Sequence, residues 1–490
     1  MTAVAPPSAP PSTPPRGPLT LDETADEPAA RLAAFAARTR WGDIPAEVRV
    51  RAHHHVLDAV GIALASGGYE FARATLTATR GLGGDGPVPV IGLPAWLPAR
   101  DAALVNGVLC HGLDFDDTHL GGVVHPTVSA WPAAMAAAVH AGASGEDMML
   151  AYVIGVEATT RVGMAGAGAF HRQGFHPTGV AGVFGATLAA GRLFGLTATQ
   201  LVRAQGIALS MASGSLEFLE DGGWTKRLHP GWVAAAGLTA AALAREGFTG
   251  ATRPYDGRYG LFTLYLGADG SSADQASVTA GLGRTWELMN TAIKPYPACH
   301  FAHGCIDAAL VLAARLAEQG MAASDIAQVT AMLPEAVIPV VCEPEANKKV
   351  PANAYDAQFS VPYLVAAALV RRRLTLAELD ESARADPAIQ ALARRVSHAV
   401  DAETTFPRHY TGALDVRLAD GRVLSHREAL NRGCAERPLS NTDIIEKFAG
   451  NAATATHDAR AERVRAGVLS FAEAPDARTA LAVLAQPALG

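Results

Sequence analysis

The sequence predicts a mostly α protein, a large all-helical domain with a smaller α+β lid domain inserted near its C-terminal end. Three observations carry that reading. Hydrophobic residues make up 49% of the chain, and alanine and glycine supply much of the small-residue content, which favours closely packed helices over sheets. Helix-period patterns with start signals run through the first part of the chain. Alternating, turn-punctuated segments appear only between about 288 and 438, after which the helical pattern returns. The expected division is a disordered tail over 1–25, helical domain over 26–287, lid over 288–438, and C-terminal helices over 439–490 that rejoin the helical domain.

The elements follow in order. Residues 1–25 are rich in proline and alanine and lack a long apolar core, so they read as a disordered tail and not a secretory signal. Asp26-Glu-Pro28 opens a first short helix, and Asp43-Ile-Pro-Ala-Glu47 opens the next. Val48, Ala52, Val56, Val60 and Ala63 then recur at helical spacing, facing a core. His53, His54 and His55 are consecutive on that helix and point in three directions, which reads as surface and boundary histidines and not a metal site. Apolar runs near 127–142, 179–196 and 231–244 are interrupted by Gly, His, Arg or Pro, as in buried helices of a protein that does not enter a membrane. Thr197-Ala-Thr-Gln200 is a capping box opening a helix over 198–213, and Thr375-Leu-Ala-Glu378 opens another over 375–397, following one over 354–371. Gly179, Gly182 and Gly185 cost helix propensity, which close approach of a neighbouring helix or of substrate would offset. Gln328 to Leu333 reads as a strand. Leu414, Val416 and Leu418 alternate before the turn Asp420-Gly421, and Val423 begins the return strand of a hairpin.

A chain of 490 residues can bury a large core. The net charge of −7 is mild and unclustered, which excludes the basic footprint of a nucleic-acid binder. Five cysteines without CxxC spacing predict a reduced, cytoplasmic protein.

Chemistry concentrates in four segments. His111-Gly-Leu-Asp-Phe-Asp-Asp-Thr-His119 with His125-Pro-Thr gathers three carboxylates, three imidazoles and two hydroxyls beside apolar stretches, where burial and neighbours tune proton affinity. Asp114, Asp117 and Thr118 would share one face of a helical turn and orient substrate. The plainer alternative has Asp114 as a cap with Asp116 and Asp117 in solvent. His125, before a proline, is extended and projects from a loop. His176 precedes an apolar helix whose N-terminal amides favour a bound carboxylate, either contacting substrate or relaying a proton, or simply capping the helix. Lys226 sits in a glycine-flanked turn, where it pairs with an anion or exchanges a proton, or is merely solvated. His300 and His303, three apart with Cys299 and Cys305 nearby, match no zinc spacing, so no metal is expected. An acid/base or carboxylate-binding role is the reading there.

In this order the segments resemble the MmgE/PrpD family: Asn106-Gly107 into His111 and Asp114-Phe-Asp-Asp-Thr118, His125-Pro126, Gly174-Phe-His-Pro-Thr-Gly179, Thr225-Lys226 with Leu228-His229-Pro-Gly231, Lys294-Pro-Tyr-Pro297, Asp356 to Tyr363, and Pro438-Leu-Ser440 through Lys447-Phe448. The resemblance implies a helical domain with an inserted lid, a homodimer, and no metal or organic cofactor. It implies 2-methylcitrate dehydratase, cis-aconitate decarboxylase or iminodisuccinate epimerase chemistry, all of which move a proton beside a carboxylate. Carried across, the decarboxylase-type site falls on Asp114, Thr118, His125, His176 and Lys226, with Cys299 or His300 as a further group. Thr-Val-Ser-Ala after His125-Pro126 replaces the Ser-Asp-Asn associated with 2-methylcitrate dehydratases.

The expectation is a cofactor-independent lyase for a small di- or tricarboxylic acid, with a dicarboxylate epimerase as the alternative. Lys226 and His125 stabilise developing charge and grip a carboxylate. His176 or His300 is the acid/base, and Asp114 and Thr118 orient His125 and the substrate. Asp117, Cys299, His303 and His111 complete the binding set. Two other classes are weighed against it. A Mg-dependent prenyl-diphosphate enzyme would need an aspartate where Leu120 stands after Asp116-Asp117. A non-catalytic binding protein would not need so full a polar set.

Overall fold

Helix starts fall where prolines and capping side chains place them. The computed structural model describes residues 27–267, 270 and 273–485, so the expected tail over 1–25 lies outside the described residues. Pro28 stands at the first turn of Pro28–Arg38. Thr197 caps Ala198–Ala208 through the expected capping box, and Ser440 forms another before Asn441–Ala452. The former helix is shorter than expected because it tightens into a 3₁₀ turn over Leu209–Met211.

The bundle is built on Ala46–Ser66, Ala99–His111, Thr127–Ala141, Gly145–Ala165, Pro177–Leu193 and Thr225–Arg245. Its glycines mark where backbones meet. A Cβ on Gly185 would fall 2.1 Å from Thr159 Oγ1 and 2.3 Å from the Gly155 carbonyl, and one on Gly182 would fall 2.9 Å from Ser129 Oγ. Neighbouring helices, not substrate, therefore claim the space these glycines leave. The tail helices Asn441–Ala452 and Asp458–Leu469 pack on Ala46–Ser66, with Phe448 lying over Gly61. One apolar cluster accordingly joins Ala29 through Leu288 with Phe448 through Leu484.

A second cluster gathers Phe218 with residues from Tyr296 to Leu418. Here a four-stranded mixed sheet runs Val396–Val400, Ile326–Leu333, Gly412–Leu418, Val423–Glu428, with only the first pair parallel. The hairpin and the Ile326–Leu333 strand match the alternation in sequence. Val396–Val400 does not match: no strand was expected there, and its first two residues fall at the end of the stretch expected to be one helix over 375–397. The Thr375 capping box opens only the 3₁₀ turn Leu376–Leu379, short helices follow at Glu381–Arg384 and Pro387–Ala393, and the chain then enters the sheet. Pro387 cannot continue a helix from the preceding turn, and partners supplied by Ile326–Leu333 override local helix propensity. The stretch over 354–371 likewise breaks, at Ser360, which caps Val361–Arg371.

The three consecutive histidines depart from expectation. His53, His54 and His55 are all buried, because the tail covers one side of their helix and the 112–117 segment the other. His53 Nδ1 lies 2.8 Å from the Val468 carbonyl, and His55 Nδ1 lies 2.7 Å from Asp117 Oδ2. Among the described residues no helix is long and apolar enough to cross a membrane.

Candidate active site

The segment after helix Ala99–His111 is not helical. Asp114 takes φ 49°, in the left-handed region that costs a non-glycine residue. Lys294 holds it there, with Nζ donating to both the backbone carbonyl and Oδ1 of Asp114 at 2.8 Å. Lys226 Nζ reaches the same Oδ1 at 2.9 Å. Asp114, Asp117 and Thr118 therefore do not share a helical face. Asp114 bridges two ammonium groups, and Asp117 turns away from Asp114 to His55 and to Thr127, whose hydroxyl donates to it at 2.5 Å.

The residue that orients His125 is Asp116, not Asp114. Asp116 lies 3.0 Å from His125 Nδ1 and 2.9 Å from His111 Nδ1, while the Asp117 carbonyl also lies 2.8 Å from His125 Nδ1. Thr118 Oγ1, at 3.4 Å, makes a weaker contact. A carboxylate on Nδ1 orients the ring and supports an imidazolium whose Nε2–H can face the cavity. Burial opposes ionisation of Asp116, but His111 and His125 outweigh it and hold the carboxyl well below the usual range. Burial pushes His111 down to about 4 although Asp116 pulls the other way, so this imidazole rests neutral. Asp114 is also held well below the usual carboxylate range, because Lys226 and Lys294 outweigh its burial.

Two helix starts complete the polar set. His176 is the N-cap residue of Pro177–Leu193, as its sequence context predicts. Lys226 is not in a turn: it lies in the first turn of Thr225–Arg245 and is buried over the ring of Phe359. From the sheet side comes Cys299-His300. The Asn431 side-chain amide lies 2.7 Å from His300 Nε2 and, as placed, donates to it. Nδ1 then carries the hydrogen of the neutral ring, and it is buried without a partner.

These groups enclose a cavity of about 70 Å³. Asp114, Thr118, His125, His176, Lys226, Cys299 and His300 line it, together with Tyr410, which the sequence did not single out. Phe218, Phe301, Phe359 and Val123 form the apolar wall. Three expected residues stand outside the lining. His111 sits behind it on Asp116, Asp117 faces His55 and Thr127, and His303 is packed behind His300 with its Nε2 on the Ala298 carbonyl. Sequence reasoning passed over Asp116, Lys294 and Asn431. Lys294 was legible only as part of its Pro-Tyr-Pro motif, since its partner lies 180 positions away in the chain.

Nitrogen atoms of His111, His125 and His176 lie within 4.8 Å of one another, close enough for a cation. The Lys226 ammonium beside them opposes one and favours an anion. His176 Nε2 and Asp114 Oδ2 are also buried without partners, so a bound substrate has polar groups to satisfy.

The comparisons agree with this geometry. The MmgE/PrpD N-terminal domain matches residues 30–274 and the MmgE/PrpD C-terminal domain matches residues 296–472. The cis-aconitate decarboxylase of Aspergillus terreus is 28% identical, covering 94% of this chain and 96% of that protein. The human cis-aconitate decarboxylase is 30% identical over 73% of each chain. A 2-methylcitrate dehydratase of Cupriavidus necator is 33% identical over 34% of this chain and 36% of its own. With both halves matched in order and the site residues drawn from both, the chain belongs to the MmgE/PrpD family.

Proposed function

We propose that this MmgE/PrpD-family lyase is a carboxy-lyase that removes CO₂ from a small unsaturated tricarboxylate of the cis-aconitate kind, without metal or organic cofactor. One observation carries the reading: a cavity in which Lys226, His125, His176 and His300 converge around a carboxylate already neutralised by two lysines. Such a hollow presents cations and N–H groups to a polyanion. The nearly full-length likeness to cis-aconitate decarboxylases supports the choice of substrate.

The chemistry follows from placement. Cleaving the bond to a carboxylate leaves an electron pair on carbon, which is tolerable only where positive charge and N–H groups face it. Lys226 and His125 grip the remaining carboxylates and stabilise that charge. His176, whose Nε2 has no protein partner, delivers the proton, and His300 donates through Nδ1 to hold the substrate. Asp116 keeps His125 aligned, and Asp114 keeps Lys226 in place. Apolar walls exclude water that would quench the intermediate indiscriminately. The same proposal includes a cytoplasmic homodimer.

The test is incubation with cis-aconitate in D₂O, following CO₂ release and deuterium in the product by NMR. Stoichiometric CO₂ with one deuterium incorporated is the expected result. Gain or loss of water without CO₂ would make the protein a dehydratase, and exchange without net loss would make it an epimerase.

A further inference from the structure

Two imidazoles meet nitrogen to nitrogen behind the cavity. His176 Nδ1 lies 3.0 Å from His229 Nδ1. Such a pair is bonded only if one nitrogen holds the hydrogen and the other its lone pair. The two rings face different surroundings. His176 lines the catalytic cavity, and its Nε2 is buried without a partner. His229, still 9% exposed, lines an open surface pocket of about 500 Å³ whose rim carries Glu217 and Asp221. Phe218 is the wall common to both spaces, its ring 6.5 Å from that of His176 and 6.1 Å from that of His229.

We propose that His176 and His229 form a two-imidazole proton relay between the cavity and the surface pocket, with His229 as the port through which the catalytic proton enters. The relay rests on the lyase reading of the cavity. Decarboxylation consumes one proton per turnover, and a cavity of about 70 Å³ leaves little room for water beside a bound substrate. Of the other cavity imidazoles, His125 and His300 lead inward, the second nitrogen of His125 meeting Asp116 and that of His300 meeting Asn431, both partners buried, while the partly exposed His171 at the rim is bonded to neither nitrogen of His176.

The step balances as follows. A proton from solvent adds to Nε2 of neutral His229. Its Nδ1–H crosses to Nδ1 of His176, which becomes imidazolium while His229 returns to neutrality. As the carbon–carboxylate bond breaks and CO₂ leaves, the electron pair left on carbon takes the Nε2 proton of His176. Both rings are then neutral in the mirrored tautomers. One proton passing outward, from water that enters when product departs, resets them.

Both rings rest neutral at pH 7. Burial, then His229 and Lys226, hold His176 well below the usual imidazole range, and burial, then His111 and Lys226, push His229 down to about 4.

The test compares His229→Gln and His229→Ala with the wild type. Glutamine keeps the volume and can still donate to His176, but it cannot pass a proton. His229→Gln should lower kcat at least about tenfold with KM within about twofold, and its rate should rise with buffer concentration. Free imidazole, but not pyrrole, should restore His229→Ala several-fold through the open pocket. Wild-type kcat without buffer dependence in His229→Gln overturns the relay, as does a loss that appears only in KM. If His229→Ala does not fold, as judged by circular dichroism, the glutamine variant decides. A wild type inert toward every carboxylate would overturn the lyase reading instead. The pair is then judged by ¹⁵N NMR of labelled imidazoles, assigned with His176→Gln and His229→Gln. One protonated and one bare Nδ1 support the pair, and two bare Nδ1 atoms overturn it.

Discussion

Asp114 shows how one residue acquires its role from partners that local sequence does not display. It holds an unfavourable φ of 49° because Lys294 grips it by both backbone and side chain, and it presents the same oxygen to Lys226. Lys226→Ala should lower kcat/KM at least about a hundredfold, and His125→Ala likewise, the scale of lost charge stabilisation or acid/base groups. Steady-state kinetics on cis-aconitate check both, and wild-type turnover in either removes that residue from the site. Asp116→Asn should lower kcat at least about tenfold while circular dichroism and substrate affinity stay near wild type, because it disturbs the tautomer and not the cavity shape. Apart from Tyr410, the polar residues named on the cavity wall stood out in the sequence because polar clusters interrupt apolar runs. Their supports did not. Asp116 looked like one more carboxylate beside Asp117, and the contacts of Lys294 and Asn431 arise only when distant segments fold together.

Among the elements, the well-capped, strongly periodic helices were legible because their signals are local. Thr197 and Ser440 each satisfy free N–H groups at a helix start. Ser440→Ala should cost about 1 kcal/mol, read as a lower urea midpoint with unchanged slope. Val396–Val400 was not legible, because a parallel strand is specified by the neighbour it pairs with and its own five residues carry little alternation. The glycines of Pro177–Leu193 were legible as a demand for close approach, though not as to what approaches. Gly185→Ala should cost about 1–3 kcal/mol, since its methyl would need the space of the Gly155 carbonyl. A midpoint equal to wild type would show that the two helices can separate freely.

The whole molecule responds to acid through its buried imidazoles. Burial first of all pushes His111 and His229 down to about 4 and His303 to about 3. Between about pH 6.5 and 4 the unfolded chain therefore binds protons that the folded one refuses. Stability rises with pH in this window and is lost on acidification, by up to about 1.4 kcal/mol per pH unit for each such ring. Asp114 and Asp116, both held low, contribute stability that is complete above about pH 4, whereas Asp58 and Glu157, which burial pushes up to about 7, oppose the imidazoles in this window and flatten part of the slope. Urea midpoints should fall between pH 7.5 and 5, and an unchanged midpoint would mean that the rings do not outweigh these two carboxyls. We propose domain boundaries at 287/288 and 438/439; the chain leaves the first apolar cluster after Leu288, enters the second at Tyr296, leaves it after Leu418 and rejoins the first at Phe448.

The last passage of the chain has one more effect. Lys447, on the tail helix Asn441–Ala452, donates to the Phe115 carbonyl at 2.7 Å and pairs with Asp58 at 2.6 Å. The loop bearing Asp114 and Asp116 thus takes one of its supports from a residue 332 positions downstream, and its seat is complete only once the C-terminal helices have docked.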